Sequence, residues 1–177
     1  MREMILEATL VIQLVNLYDR GGPMPSVIEN GTEIGRTPED VFDYLADQGN
    51  ELQWNPDCVS MEKLTDGPIG RGTRFRAKWK QGPVVETTCT AFERPTMWRY
   101  ENGGPVSVIL TVTLEPAENG RTKMTSHGEW TPHGLFRFVF PLFIRVMRRA
   151  EREVIANARD ALEKRLDLEP AGGASVA

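Results

Sequence analysis

Apolar and polar residues alternate along much of the middle of the chain, and the spacing becomes helical in residues 134–168. The alternation is clearest in residues 73–80, where threonine, phenylalanine, alanine and tryptophan alternate with arginine and lysine. A period of two predicts a strand with one apolar, buried face and one cationic, solvated face. Asn119-Gly120 is a strong hairpin signal between two such runs. The pattern predicts seven strands, one at residues 27–35 and six between residues 59 and 130.

Helix signals follow the first predicted strand and the last one. Thr37 can accept a hydrogen bond from the amide of Asp40, and Pro38 suits the first position of a helix. A second short helix is predicted through Trp54. The apolar residues of 134–168 recur at helical spacing, which predicts one long C-terminal helix. A long apolar helix across a curved antiparallel sheet is an α+β architecture with room for a ligand cavity between the two layers.

A chain of 177 residues supports one domain with a sizeable core, which we place at residues 24–168. Residues 1–23 form an extension that does not fit the pattern of this domain. An apolar stretch at 8–17 is interrupted by polar residues and is followed by a Gly-Gly-Pro break before Met24. One explanation is that translation starts at Met24. The other is an amphipathic helix that packs on a membrane or a partner. Residues 171–177 are small, and residues 169–177 are predicted to be a disordered tail.

Charge and motif content exclude several classes of function. The net charge of -4 and the isoelectric point near 5.3 argue against nucleic-acid binding. Cys58 and Cys89, with two histidines, make neither a zinc site nor a disulfide framework. No cofactor is expected, because the sequence has no glycine-rich phosphate loop, nucleophile elbow or metal-ligand pattern. With no membrane-spanning run and no signal peptide pattern, a cytoplasmic protein without stable membrane insertion is expected, and its oligomeric state stays open.

Several short motifs resemble those of one superfamily. They are residues 37–47 (TPEDVFDYLAD), 54–56 (WNP), 67–73 (GPIGRGT), 92–95 (FERP) ahead of Trp98 and Tyr100, and 120–125 (GRTKMT). Over residues 27–166 the chain resembles the START-like, or SRPBCC, superfamily, which includes polyketide cyclase/dehydrases, lipid-transport proteins, coenzyme Q-binding proteins and birch-pollen-allergen relatives. The resemblance implies a helix-grip fold: a curved seven-stranded antiparallel sheet that grips the C-terminal helix, with two short helices after strand 1. It leaves the activity open.

Aromatic residues are the candidates for ligand contact. They are distributed over one face of the predicted sheet and the helix that faces it, and the fold implied by the resemblance brings these surfaces together. Core packing explains the same set without a ligand. The set is Trp54, Phe75, Trp79, Trp98, Tyr100, Phe136 and Phe140.

Three residues are weak candidates for acid–base chemistry. His127 and Glu129 lie two apart on one predicted strand and share a face, which is either the cavity face or solvent. Glu86 is in phase with Phe92, so it is either a buried carboxylate that needs a partner or a surface residue paired with a cation of strand 3.

Two classes of function remain at the level of the sequence. The first is a carrier or sensor of a small hydrophobic or amphipathic molecule. The second is a polyketide cyclase/dehydrase-like enzyme, which needs at least one inward titratable residue with a perturbed pKa. The abundance of apolar residues favours binding. A third idea is transient membrane contact through residues 135–144, with Arg137 and Arg145 nearby; the alternative is that this block lines the cavity and closes the core.

Overall fold

The computed structural model describes the backbone of residues 25–167 and the side chains of residues 25–164. The predicted N-terminal extension (residues 1–23) and C-terminal tail (residues 169–177) lie outside the described residues. The elements in chain order are β1 (Ser26–Ile34), α1 (Pro38–Leu45), a 3₁₀ turn (Gln48–Asn50), α2 (Glu51–Trp54), β2 (Cys58–Lys63), β3 (Arg74–Trp79), β4 (Val85–Glu93), β5 (Met97–Asn102), β6 (Val106–Pro116), a second 3₁₀ turn (Glu118–Gly120), β7 (Thr122–Pro132) and α3 (Phe136–Asp167).

The strands form one antiparallel sheet in the order β1-β7-β6-β5-β4-β3-β2. Consecutive strands from β2 to β7 are neighbours, and β1 returns to pair with β7. Alternation on β3 has the predicted phase, because Phe75 and Ala77 are buried whereas Arg74 and Arg76 are exposed. The sheet, the long C-terminal helix and the two short helices after β1 confirm the predicted helix-grip fold.

Local signals fix the short helices. The Thr37 hydroxyl accepts a hydrogen bond from the amide of Asp40 at 3.3 Å, which caps the first turn of α1 as predicted. Helix α1 buries its apolar face, including Val41 and Phe42, against the inner face of the sheet. Helix α2 is a single turn that ends before Asn55.

Helix α3 packs chiefly along β1. Its C-terminal half is held by polar contacts to the end of β1: Glu163 Oε1 accepts from the amide of Gly35 at 2.9 Å, and Arg36 Nη2 donates to the carbonyl of Glu163 at 2.8 Å. A side chain at Gly35 would meet that carboxylate at 3.3 Å. No helix in the described range has a stretch long and apolar enough to cross a bilayer.

The apolar residues beneath α3 form two separate clusters. The large cluster joins α1, the sheet and the C-terminal half of α3 through residues such as Phe42, Trp98 and Ile155. The small cluster contains Ile28, Phe140 and Ile144, with Val106, Trp130 and Met147 packed against it. The sheet therefore makes two separate apolar contacts with the helix.

Candidate ligand-binding site

The region between the two clusters lies over the middle of β6. Val112 and Leu114 on the inner face of this strand are buried, and Leu110 packs against the large cluster. Val108, the next inward residue, is only partly buried and belongs to neither cluster. Val108 lies opposite Trp130 in the pairing of β6 with β7. Trp130 is one inward position along β7 from Gly128. We call this region the inter-cluster gap.

One carboxylate, that of Glu151, lies on the side of α3 that faces the inter-cluster gap. The inward positions of α3 follow helical spacing through Phe140, Ile144 and Met147 to Ile155, Ala158 and Leu162. Glu151 falls on the same seam, four residues before Ile155 and four after Met147. All its neighbours on the seam are apolar, so the helix places one acidic side chain between the two clusters.

A second carboxylate, Glu51, approaches from α2. Glu51 Oε1 accepts a hydrogen bond from the indole Nε1 of Trp79 at 2.7 Å and from Nδ2 of Asn55 at 2.6 Å. Asn55 is buried and also accepts from the amide of Asp57 at 3.0 Å, which fixes its orientation. Glu51 is thus held in place by two donors at the inner edge of β3.

Both carboxyl groups have a raised pKa, and Glu51 contributes to the rise at Glu151. Burial, followed by repulsion from Glu51, raises the pKa of Glu151 to about 7. Burial also raises the pKa of Glu51, and its two N–H donors oppose that rise. Burial and the nearby negative charge of Glu51 raise the pKa of Cys58 to about 11, so this thiol is protonated at neutral pH. Glu151 therefore changes its protonation state around neutral pH, while the two N–H donors favour the ionised form of Glu51.

Two buried indole N–H groups have no acceptor among the described residues. They are Nε1 of Trp54 and Nε1 of Trp130. A side chain at Gly128 would come within 2.9 Å of the Trp130 nitrogen, so the indole N–H lies over Gly128 beside the gap. A buried donor without an acceptor costs about 1–3 kcal/mol, and such groups are rare in folded proteins.

The structure separates the predicted aromatic set into three environments. Phe75, Trp98 and Tyr100 lie in the large cluster and are at most 4% exposed, and the Tyr100 hydroxyl donates to the carbonyl of Ala46 at 3.0 Å. Trp54 packs partly buried against that cluster, while Trp79 is tied to Glu51. On the helix, Phe140 is buried in the small cluster, whereas Phe136 is 50% exposed.

The three acid–base candidates lie on the outer face of the sheet, away from α3. His127 Nδ1 lies 3.2 Å from Glu29 Oε2, and its Nε2 lies 3.7 Å from Glu129 Oε1. Glu86 forms ion pairs with Arg74 at 3.7 Å and Arg76 at 3.5 Å.

Of the two alternatives predicted for Glu86, the structure shows the second: a surface residue paired with cations of β3. A register shift between Cys89 and Ala91 inverts the phase of β4. Phe92 therefore faces the core while Glu86, six residues earlier, faces solvent.

The same outer face carries a depression of about 380 Å³ whose lining includes Glu86, Thr88 and Glu101 together with Val108 and Ile109 of β6. It lies on the side of the sheet opposite α3. Within the described residues no group of three histidine, cysteine, aspartate or glutamate side chains could hold a metal ion.

The sequence matches the profile of the family "Polyketide cyclase / dehydrase and lipid transport" over residues 27–166. The chain belongs to this family. The match spans every described strand and nearly all of α3, so it confirms the predicted superfamily. No curated protein sequence matches the chain.

Solved structures similar to this family member share its fold at low sequence identity. The Zhui aromatase/cyclase from Streptomyces sp. R1128 is 13% identical with a TM-score of 0.70, over 84% of this chain and 99% of that one. TTHA0849 from Thermus thermophilus is 15% identical with a TM-score of 0.65, over 78% and 98%. Ara h 8.0201 is 18% identical with a TM-score of 0.59, over 78% and 99%. Identities this low show the fold alone.

Sequence reasoning missed the carboxylate pair of this polyketide cyclase/dehydrase family member. A signal for Glu151 was present, because an acidic residue interrupts the apolar seam that runs from Phe140 to Leu162 at helical spacing. Glu51 gave no such signal, since it precedes the apolar residues of a single-turn helix and resembles an ordinary first-turn acid. Only the packing of α2 against α3 brings the two together.

Proposed function

We propose that this protein binds a small hydrophobic or amphipathic molecule between the inner face of the sheet and α3, as a carrier or sensor. The ligand would occupy the inter-cluster gap, with its apolar part against Val108 and the two clusters. Its polar end would meet the indole N–H of Trp130 or the carboxyl group of Glu151. A sugar or a nucleotide would leave many of its polar groups unpaired on such a lining.

The observation that carries this proposal is the combination of an inner-face residue, Val108, that is only partly buried outside both clusters and a buried indole N–H without an acceptor beside it. A core built only for stability would cover Val108 and would not place a charged side chain at an inward helix position. The orphan N–H of Trp130 is a donor, and so is Glu151 when it is protonated, which fits a ligand with a carbonyl, quinone or hydroxyl oxygen. Several hydrogen-bond donors in an apolar surround give orientation without demanding a charged ligand.

The second candidate function is a cyclase or dehydrase reaction on a polyketide-type chain in the same place. The specific observation in its favour is that Glu151 titrates near neutral pH beside a second carboxylate. Two carboxyl groups with different protonation states can act as an acid and a base. Protonated Glu151 could give its proton to a leaving hydroxyl while ionised Glu51 takes a proton from the carbon next to a carbonyl, which releases water.

Native mass spectrometry of the full-length protein purified without detergent tests the binding proposal. We expect a retained molecule of lipid, aromatic-polyketide or quinone type. In Val108→Trp the larger ring fills the gap and should remove most of that ligand. Ile109→Trp is the matched control, because this neighbour lies on the outer face opposite Glu129 and should leave the bound fraction unchanged. Equal retention in both variants, or no ligand under any condition, contradicts the proposal.

A second measurement separates the carrier from the enzyme. The protein is incubated with a linear polyketone, and the products are analysed for loss of one water. For an enzyme, Glu151→Gln should abolish this conversion while the retained ligand stays bound. For a carrier, neither the unmodified protein nor the variant changes the mass of the polyketone.

A further inference from the structure

The first half of α3 presents an apolar surface to solvent. Seven large apolar side chains are exposed, and Leu135 and Leu142 are 82% and 78% exposed. Leu135 directly precedes the helix, and most of the others lie on the side of α3 turned away from Phe140 and Ile144, with Phe136 at the edge of that side one turn before Phe140. We call them the exposed apolar face: Leu135, Phe136, Phe138, Val139, Leu142, Phe143 and Val146. Monomeric soluble proteins rarely expose a contiguous apolar patch larger than a few hundred Å², so this face is an interaction surface.

A stripe of arginines runs along the flank of this face. Helical spacing places Arg145, Arg148, Arg149 and Arg152 on one side of it, and all four are exposed. The only acidic residue between positions 135 and 152 is Glu151, which lies on the inward seam of the helix with Ile144 and Ile155. This segment is strongly cationic in a chain whose net charge is -4.

We propose that the exposed apolar face and its arginine stripe dock the protein on the surface of an anionic phospholipid bilayer. Helix α3 would lie in the plane of the interface, with its phenylalanines and leucines among the upper acyl chains and its arginines at the lipid phosphates. This arrangement buries the apolar side chains and neutralises the arginines in one contact. The helix does not cross the bilayer, and the contact is reversible, because only about three turns of one helix take part.

Charge complementarity selects the membrane over two other occupants. A second copy of the chain would bring the arginine stripes of both copies to one interface, where like charges repel. Residues 1–24 hold apolar residues but nearly balanced charge, with three acidic residues against Arg2 and Arg20. An anionic lipid surface matches both the apolar side chains and the arginines.

Membrane docking goes beyond the proposed ligand function and does not depend on it. The exposed apolar face points away from the inter-cluster gap, so the two surfaces use different side chains. A protein that retains no ligand could still bind vesicles, and a ligand carrier could fail to bind them. Co-sedimentation tests the first property and native mass spectrometry the second.

Co-sedimentation of the full chain with large vesicles is the test. We expect binding to vesicles of phosphatidylcholine mixed with phosphatidylglycerol, weak binding to phosphatidylcholine alone, and a decrease with added salt. Phe138→Asp/Leu142→Asp should weaken binding by more than roughly 100-fold. Arg145→Gln/Arg149→Gln should weaken binding to the anionic vesicles by about 30-fold.

Matched controls distinguish vesicle binding through α3 from nonspecific adsorption of the protein. Val59→Asp/Val84→Asp changes two exposed valines far from α3, and Arg71→Gln changes an exposed arginine outside it. Both should bind like the unmodified protein, and all variants should melt at the same temperature because the changed residues are exposed.

Absence of binding to anionic vesicles overturns the proposal, as does equal loss in the controls. A dimer by light scattering that dissociates in Phe138→Asp/Leu142→Asp, without vesicle binding, overturns it and assigns the face to a second copy. A monomer that does not bind vesicles overturns it and leaves residues 1–24 as the occupant.

Discussion

The sharpest prediction concerns the inward carboxyl group of Glu151. Burial and the neighbouring Glu51 raise its pKa to about 7, whereas the same side chain in the unfolded chain titrates near 4.5. Between these two values the native state binds more protons than the unfolded state. The free energy of unfolding must therefore fall as pH rises from about 4.5 to about 7, and must then stay low.

The size of the effect follows from the distance between the two pKa values. A folded pKa of about 7 against 4.5 corresponds to at most about 3 kcal/mol lost above neutral pH. Glu151→Gln removes the titration and keeps a side chain of nearly the same shape. At pH 8 the variant should be more stable by up to this amount, which for a chain of this size raises the melting temperature by roughly 6–10 °C. At pH 5 the two proteins should melt within about 2 °C of each other.

Urea unfolding at a series of pH values from 5 to 8 measures this prediction. Glu153→Gln is the matched control, because this residue is two positions along the same helix, exposed, and paired only with Arg149 at 3.4 Å. Its effect should stay below about 0.5 kcal/mol at every pH. If Glu151→Gln keeps the pH slope of the unmodified protein, or is less stable at pH 8, the carboxylate pair is not the destabilising element that the structure indicates.

Three further predictions concern the core, the ligand and the N-terminus. Phe75→Ala should cost roughly 3 kcal/mol or more because Phe75 is 1% exposed, whereas Arg76→Ala should cost under about 0.5 kcal/mol; urea midpoints of both variants measure this, and reversed costs would contradict the register of β3. Ligand addition should quench tryptophan fluorescence, and the quench should weaken in Trp130→Phe, which removes the orphan N–H; an unchanged titration curve in that variant rules out Trp130 as a ligand contact. A chain that starts at Met24 should melt at the same temperature as the full chain, and a loss of several degrees would show that residues 1–23 pack on the domain.

A stabilising substitution at Glu151 would also bear on function. Proteins retain charged groups in apolar surroundings at a cost in stability where the groups serve binding or catalysis. The proposed carrier needs Glu151 as a hydrogen-bond donor, and the alternative enzyme needs it as an acid. In both proposals the residue expected to lower stability above neutral pH is the one that would contact the ligand.

The sequence by itself determined the order and kind of the elements. Alternation with a period of two, turn residues and the Thr37 cap are local features, and local backbone preferences respond to them. The helix-grip architecture follows, because a seven-stranded antiparallel sheet and one long amphipathic helix can bury their apolar faces only against each other. The phase of β3, with Phe75 inward and Arg76 outward, is predictable for the same reason.

Only the tertiary structure decided which residues meet. Glu51 and Glu151 are a hundred residues apart, and no local pattern records that α2 packs on α3 at this point. The side of the sheet on which Glu86 lies depends on one register shift in β4, because a single extra residue moves every preceding side chain to the other side of the sheet. Phe136 and Phe140 share a helical face and a residue type, yet one is half exposed and the other is buried, since the sheet covers the helix only from Phe140 onward. Long-range packing sets burial and proximity, and binding and proton transfer depend on both.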